Sequence, residues 1–522
     1  MGASSLIGSL PGTRLHLRVV LAVCLLAACE LNTAPPPLSE VDAVSGDTGI
    51  TVTTTTITEP SELAGIDRVR GNLVIAATRP IRLPDLVVVE GDLRVLGTEA
   101  RPVMADLNLP KLARVGGNLE IGWTTGRAKL LAPTLAEVGG HLSLFEGEWS
   151  ISLPSLKEVN GDVRLTHGAL ESLELDRLAT VGGSIRAIAV TPARGVGYAL
   201  PSLEGVGVDF VIQGGSAFID APRCLSIGGS LVIDGATAGV MFTGLREVMG
   251  DVRVEDSTIE GFDLGGILAI GDDLVFDRVA GGSFERIELY ALASVGGDVR
   301  IDDVEGLTFV GFPALLAING GFIVANAPLL EEVVATRVVT VGGSLILENA
   351  GDVELTLIQL VTVGGDLVSS GNLAWQGNLF QITDIAGDVR ISHQRVMQLG
   401  LLNLASVGGS VVLDDVSGSP EPDELRFDSL RTVGRSFKLI NTHSFERCTF
   451  DALLTIQDGD LVVRDNPDLT RLTLSGLGAV AGAVIVRDNP KLPIDDVLRE
   501  LSDVESSSPV DICGNLGGDP CP

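Results

Sequence analysis

The sequence predicts an all-β protein: one long right-handed β-helix, or solenoid, of about 19 rungs with a short C-terminal helical cap. Three observations carry this. A short phrase recurs about nineteen times between Gly71 and Val486: an aliphatic residue, two variable residues, Val, Gly-Gly, a small polar residue, then Leu-x-Ile. Leu112-Ala-Arg-Val-Gly-Gly-Asn-Leu-Glu-Ile121 and Leu404-Ala-Ser-Val-Gly-Gly-Ser-Val-Val-Leu413 are two copies. The step averages about 23 residues, too few for one copy to bury its own apolar face, so copies must stack. High Gly, abundant Val, Leu and Ile and only 4% aromatics suit a long apolar stack with tight corners, and the low hydrophobicity of disordered chains is absent.

Within the phrase, the Leu and Val of Leu-x-x-Val face the core. Gly-Gly makes a corner that needs positive φ or close backbone approach. Leu-x-Ile then alternates in, out, in, as a strand with one buried face should. The rest of each repeat varies in length and forms outer loops. At about 4.8 Å per rung the stack would run to about 90 Å. The outward residue is often Arg two places after Asp, as in Asp162-Val-Arg164 and Asp388-Val-Arg390, which reads as surface charge pairing of small worth. Asn326-Ala-Pro328, Asp465-Asn-Pro467 and Asp488-Asn-Pro490 read as turns. Pro493 opens a short helix over Ile494-Asp-Asp-Val-Leu-Arg-Glu-Leu501, with Val497, Leu498 and Leu501 on one side.

The N-terminus reads as a targeting segment. Arg14 and Arg18 precede an apolar run from Val19 to Ala28, too short to span a bilayer. Leu26-Ala27-Ala28-Cys29 resembles a bacterial lipobox, which implies lipidation of Cys29, and Glu30 after it leans toward the outer membrane. The expected divisions are a signal peptide at 1–28, a flexible tether at 29–48, solenoid repeats at 49–492 and a cap at 493–522. Ile50-Thr-Val-Thr-Thr-Thr-Thr-Ile57 is β-branched throughout and reads as a first strand covering the open end.

The formal charge is −32, and roughly −34 without residues 1–28. That argues against nucleic acid and anionic membrane surfaces, which need Lys/Arg patches. Cys224 and Cys448 stand alone in different repeats, as buried small hydrophobes. Cys513 and Cys521, eight apart, suggest a C-terminal disulfide loop in an exported protein.

Leu-x-x-Val-x-Gly-x-Leu-x-Ile, then Asn-Pro-x-Leu and a terminal Ile-Cys-Gly-Asn…Cys, resembles the receptor L-domain type of leucine-rich-like β-helix, over about residues 61–522. It is most similar to bacterial surface lipoproteins built from long arrays of that unit. Such proteins often carry a further Cys after Asn-Pro-x-Leu-Pro, where this chain has Ile494. The Leu-x-x-Leu-x-Leu-x-x-Asn core of an ordinary leucine-rich repeat is not kept.

His141, His167, His393 and His443 fall in separate rungs, and no Gly-x-Ser-x-Gly, His-Glu-x-x-His or phosphate loop occurs. Asp234, Glu255, Asp256, Asp277, Asp302 and Asp303 take equivalent places after the strand in four consecutive rungs. They are candidate Ca²⁺ ligands, or else a solubilising acidic edge; no other cofactor is expected. Trp123, Phe145 and Trp149 could form a carbohydrate platform, or fill core and anchor loops. Ile323, Ile346 and Val368 form an outward aliphatic row that offers a protein contact. The expectation is a non-enzymatic lipoprotein of the cell envelope, at the outer membrane and exposed on the surface. It would hold the membrane through its lipid and serve as an extended recognition or adhesion scaffold for a protein or polysaccharide. The rivals are an envelope spacer without a ligand and a glycan-active β-helix enzyme.

Overall fold

The computed structural model describes residues 44–45, 50–52, 55–57, 63–75, 80–96, 106–122, 127–192, 198–281, 284–418 and 424–521. Cys29 and the expected signal and lipidation segment lie outside them. Residues 43–522 form one compact unit. It is a parallel β-solenoid of about 19 turns.

Three strand positions recur in each turn. The first is a two-residue strand that ends on the Val of Leu-x-x-Val, such as Arg114–Val115, paired in parallel with Glu137–Val138 one rung on. The second is the Leu-x-Ile strand, such as Leu231–Asp234, where Leu231 lies opposite Val252 and Ile233 opposite Val254. The third is less regular, as in Asp352–Thr356 beside Ala374–Asn378. In some turns the second and third run on as one strand, as in Val389–Gln398.

This register puts like residue on like residue. Leu112, Val115, Leu119 and Ile121 are buried, and the same positions are buried turn after turn in one continuous core. Each such side chain adds roughly 1.5–3 kcal/mol of apolar burial. Where a rung carries Phe instead, rings cluster, as with Phe437 and Phe450 at 4.6 Å between centroids.

The Gly-Gly pairs of the repeated phrase do not adopt positive φ. They are required by proximity: a Cβ on Gly342 would stand 2.1 Å from the Asn319 carbonyl oxygen of the previous rung, and one on Gly364 equally close to that of Gly342. Positive φ appears instead at the next corner, after the second strand.

Both ends differ in detail from the sequence reading. Ile50–Val52 pairs with Ile66–Val69 and Thr55–Ile57 with Leu73–Ile75, so this segment is a rung of two strands. Val44–Ser45, expected in the tether, lies antiparallel on Ile50–Val52 and covers its edge. At the other end, helix α1 (Ile494–Glu500) buries Val497 and leaves Leu498 exposed. Glu500 accepts the Leu474 N–H at 2.8 Å. After α1 the chain makes one more turn: Glu505–Ser506 and Val510–Cys513 extend both ladders. Cys513 is bonded to Cys521, with Cα atoms 4.9 Å apart.

Two Gly→Ala substitutions separate close approach from composition. Gly342→Ala should lower stability by about 2 kcal/mol or more, because backbone must move. Gly205→Ala, where the nearest atom to a Cβ is 3.5 Å away, should change it by less than about 0.5 kcal/mol. Urea unfolding of both variants checks this.

Candidate functional site

The small polar residue after Gly-Gly is consumed by the backbone of the next rung. Asp92 Oδ1 accepts the Asn118 N–H, Asn118 Oδ1 the His141 N–H, His141 Nδ1 the Asp162 N–H and Asp162 Oδ1 the Ser184 N–H. The relay of Asp, Asn, His and Ser acceptors runs from Asn72 to Ala483. It breaks once, at Gly321, which has no side chain to offer the Ser344 N–H. Asp388 shows the full arrangement. Its own N–H donates to Asp366 Oδ1 at 2.7 Å, its Oδ1 accepts the Ser410 N–H at 2.6 Å, and its Oδ2 takes Arg390. Burial opposes ionisation of Asp388, but the Ser410 N–H and Arg390 outweigh it and hold the carboxyl below its usual 3.8. The Asp-x-Arg pairs therefore have a second role that charge pairing does not describe.

The acidic candidates fall into two columns. Asp234, Glu255, Asp277 and Asp302 are in strand register on successive rungs. Asp256 and Asp303 belong to the next position, where the chain turns with φ of 48° and 52°. Arg278, Asn326, Asn349 and Asp415 adopt the same conformation further along. Asn and Asp tolerate this left-handed region better than most residues, so those two Asp have a backbone reason to be there.

The chain supplies its own cations to the stripe. Arg278 reaches Asp256 at 2.5 Å and also holds Asp277. Arg300 reaches Asp302 at 2.7 Å, and Arg253 sits 3.6 Å from Glu255. Burial pushes the Glu255 carboxyl up; Arg253 opposes this, while Asp277 and Asp234 add to it. Among the described residues, no three His, Cys, Asp or Glu side chains are grouped to hold a metal ion.

The other polar column points inward. Asn466 and Asn489 are fully buried. Asn466 Oδ1 accepts the Thr442 N–H, and its Nδ2 donates to the Leu439 carbonyl and to Asn489 Oδ1. Asn489 and Asn515 repeat the pattern. The Asn of Asn-Pro is thus an internal ladder under the turn. Cys224 and Cys448 are buried free thiols, and burial pushes Cys224 up to about 12.

Among the surface candidates, Trp123 and the side chain of Trp149 lie outside the described residues. The Phe145 ring covers Gly122 of the rung before, where a Cβ would meet it at 2.1 Å. Ile323, Ile346 and Val368 stack in register and are half-buried, flanked in the same column by Arg300 and Arg390.

A larger surface escaped sequence reasoning. The two variable residues of Leu-x-x-Val both face outward and form two adjacent columns on the first sheet. From Leu268 to Thr362 neither column carries a charge over five rungs. Leu268, Leu316 and Val339 are exposed there, with Ala293 and Val361 half-buried between and beyond them. Backbone N–H groups link that column rung to rung at 2.8–3.0 Å. The signal was the run of uncharged pairs in positions treated as variable, and it overlaps the rungs of Ile323 and Ile346 around the Gly-Gly corner.

Asp388→Ala should cost about 1–3 kcal/mol by orphaning the Ser410 N–H, whereas Asp388→Asn keeps the acceptor and should cost less than about 1 kcal/mol. The depressed carboxyl contributes stability that is full above the usual 3.8 and is lost as pH falls through its lower folded value. Melting temperatures at pH 7 and pH 3 should therefore show the gap between the unsubstituted chain and Asp388→Asn narrowing in acid. Set against protein-family models and curated proteins, the chain matches none.

Proposed function

We infer that this protein is a lipid-anchored component of the bacterial cell envelope that acts, without catalysis, as an extended scaffold for recognition or adhesion. It resembles the receptor L-domain type of leucine-rich-like lipoprotein. The observation that carries the anchor is Leu26-Ala27-Ala28-Cys29 at the end of the apolar run from Val19. Glu30 behind Cys29 supports outer-membrane retention, and the resemblance to bacterial surface lipoproteins supports display on the surface. The Cys513–Cys521 disulfide suits an oxidising compartment outside the cytoplasm.

The scaffold reading rests on what the repeat spends its residues on. Leu, Val and Ile fill the core, Gly-Gly permits close stacking, and the polar residues serve backbone N–H groups at the corners. What remains for a partner is the outer faces and what varies along them. A protein or polysaccharide ligand is the partner of this reading, and a ligand-free envelope spacer is its nearest rival.

Cys29→Ser should move the protein from the membrane to the soluble fraction and abolish incorporation of a fatty-acid label. Retention of the label in that variant would remove the anchor. Protease added to intact cells should shave the unsubstituted protein; full protection would place it on the periplasmic side. A purified chain that shortens surface polysaccharide would replace the scaffold reading by an enzymatic one.

A further inference from the structure

The geometry points to a second copy of this chain as the occupant of the uncharged strip from Leu268 to Thr362, with the two solenoids side by side and running parallel. The inference does not depend on the anchor or on any ligand.

An uncharged outer face five rungs long is unusual on a chain with a net charge of −32. Two such chains repel across most of their surfaces and least where charge is missing. The strip is five rungs long, about 24 Å at the usual strand spacing. Stable interfaces bury about 800 Å² on each partner, so the rungs beyond the strip must also engage, and their charges decide the orientation.

A two-fold axis parallel to the solenoid axis lays each column of one copy over the adjacent column of the other. Leu316 then faces the partner's Ala317, and Val339 faces the partner's Thr340. Beyond the strip, Arg246 faces the partner's Glu247, and Lys157 faces the partner's Glu158; all four residues are exposed. Arg246 also donates to the Gly266 carbonyl at 3.1 Å, which leaves further guanidinium N–H groups for a carboxylate. No rung of these two columns sets like charges against each other in this arrangement. The antiparallel alternative, centred on Leu316, opposes Glu247 to the partner's Asp384 and repels.

The test is sedimentation of the full-length Cys29→Ser chain over a concentration series. A reversible dimer is expected. Leu316→Glu combined with Val339→Glu should raise its dissociation constant by at least about tenfold, with circular dichroism and melting temperature unchanged. Arg246→Glu alone should weaken the dimer, and Arg246→Glu with Glu247→Arg should restore it, because the swapped pair still finds its opposite on the partner. A chain that stays monomeric at all concentrations, or a dimer indifferent to both sets of substitutions, would overturn the proposal and leave the strip to a different protein. A dimer lost on Leu316→Glu with Val339→Glu, but whose weakening by Arg246→Glu is not reversed by adding Glu247→Arg, would overturn the parallel arrangement.

Discussion

The rest of the structure depends on how closely one rung approaches the next at the Gly-Gly corner. The carbonyl oxygen of one rung lies where the Cβ of the next would stand, as Asn319 does beneath Gly342. That proximity removes side chains from the corner and turns backbone N–H groups toward the rung below. A buried or half-buried N–H without an acceptor costs about as much as a hydrogen bond gains. The residue after Gly-Gly supplies that acceptor, which is why it is Asp, Asn, Ser or His and rarely anything else. Stacking fixed here sets the register of the two ladders on either side, and the register places Leu on Leu and Val on Val through the core.

A corner built this way explains why the polar residues of the repeat say little about ligands. Asp388 serves the Ser410 N–H and pairs with Arg390. Asp256 and Asp303 sit where φ is positive. Asn466 and Asn489 hold the interior of a turn. Each resembles a functional group in one copy, yet other copies put a different residue in the same backbone role. Ser230 stands in for Asp, Gly235 or Asn349 for Asp256, and Thr442 for Asn466. The variation that is free of such roles lies in the outward pairs of the first sheet and in the outward column of the second. Charge disappears from both in overlapping rungs around Leu316 and Ile346.

Much of the fold was legible because a period of about 23 residues and a strict in-out alternation leave few alternatives. Leu112, Val115, Leu119 and Ile121 could be assigned to the core from one copy. The corner chemistry was harder to read. The partner of Asp162 Oδ1 is the N–H of Ser184, in the next rung, whereas Arg164, two residues away, is visible at once. Leu498 looked apolar and therefore inward, but a helix of seven residues at the end of a stack has only a narrow buried side, filled by Val497. The strip from Leu268 escaped because absence of charge is not a motif. It becomes a surface only when the stacking sets Ala293, Leu316 and Val339 on one line.

The corner relay makes a direct claim about individual amide hydrogens, and hydrogen exchange reads them one by one. Asp388, Ser410 and Asp460 each present an N–H to a side-chain acceptor on the rung below. Ser344 sits at the same position over Gly321 and has no such acceptor. In native-state exchange the Ser344 amide should be the least protected of the four, and Gly321→Asp should slow it to the level of Ser410. Equal protection of Ser344 and Ser410 in the unsubstituted chain would contradict the account, because the corner would then hold its register without the relay.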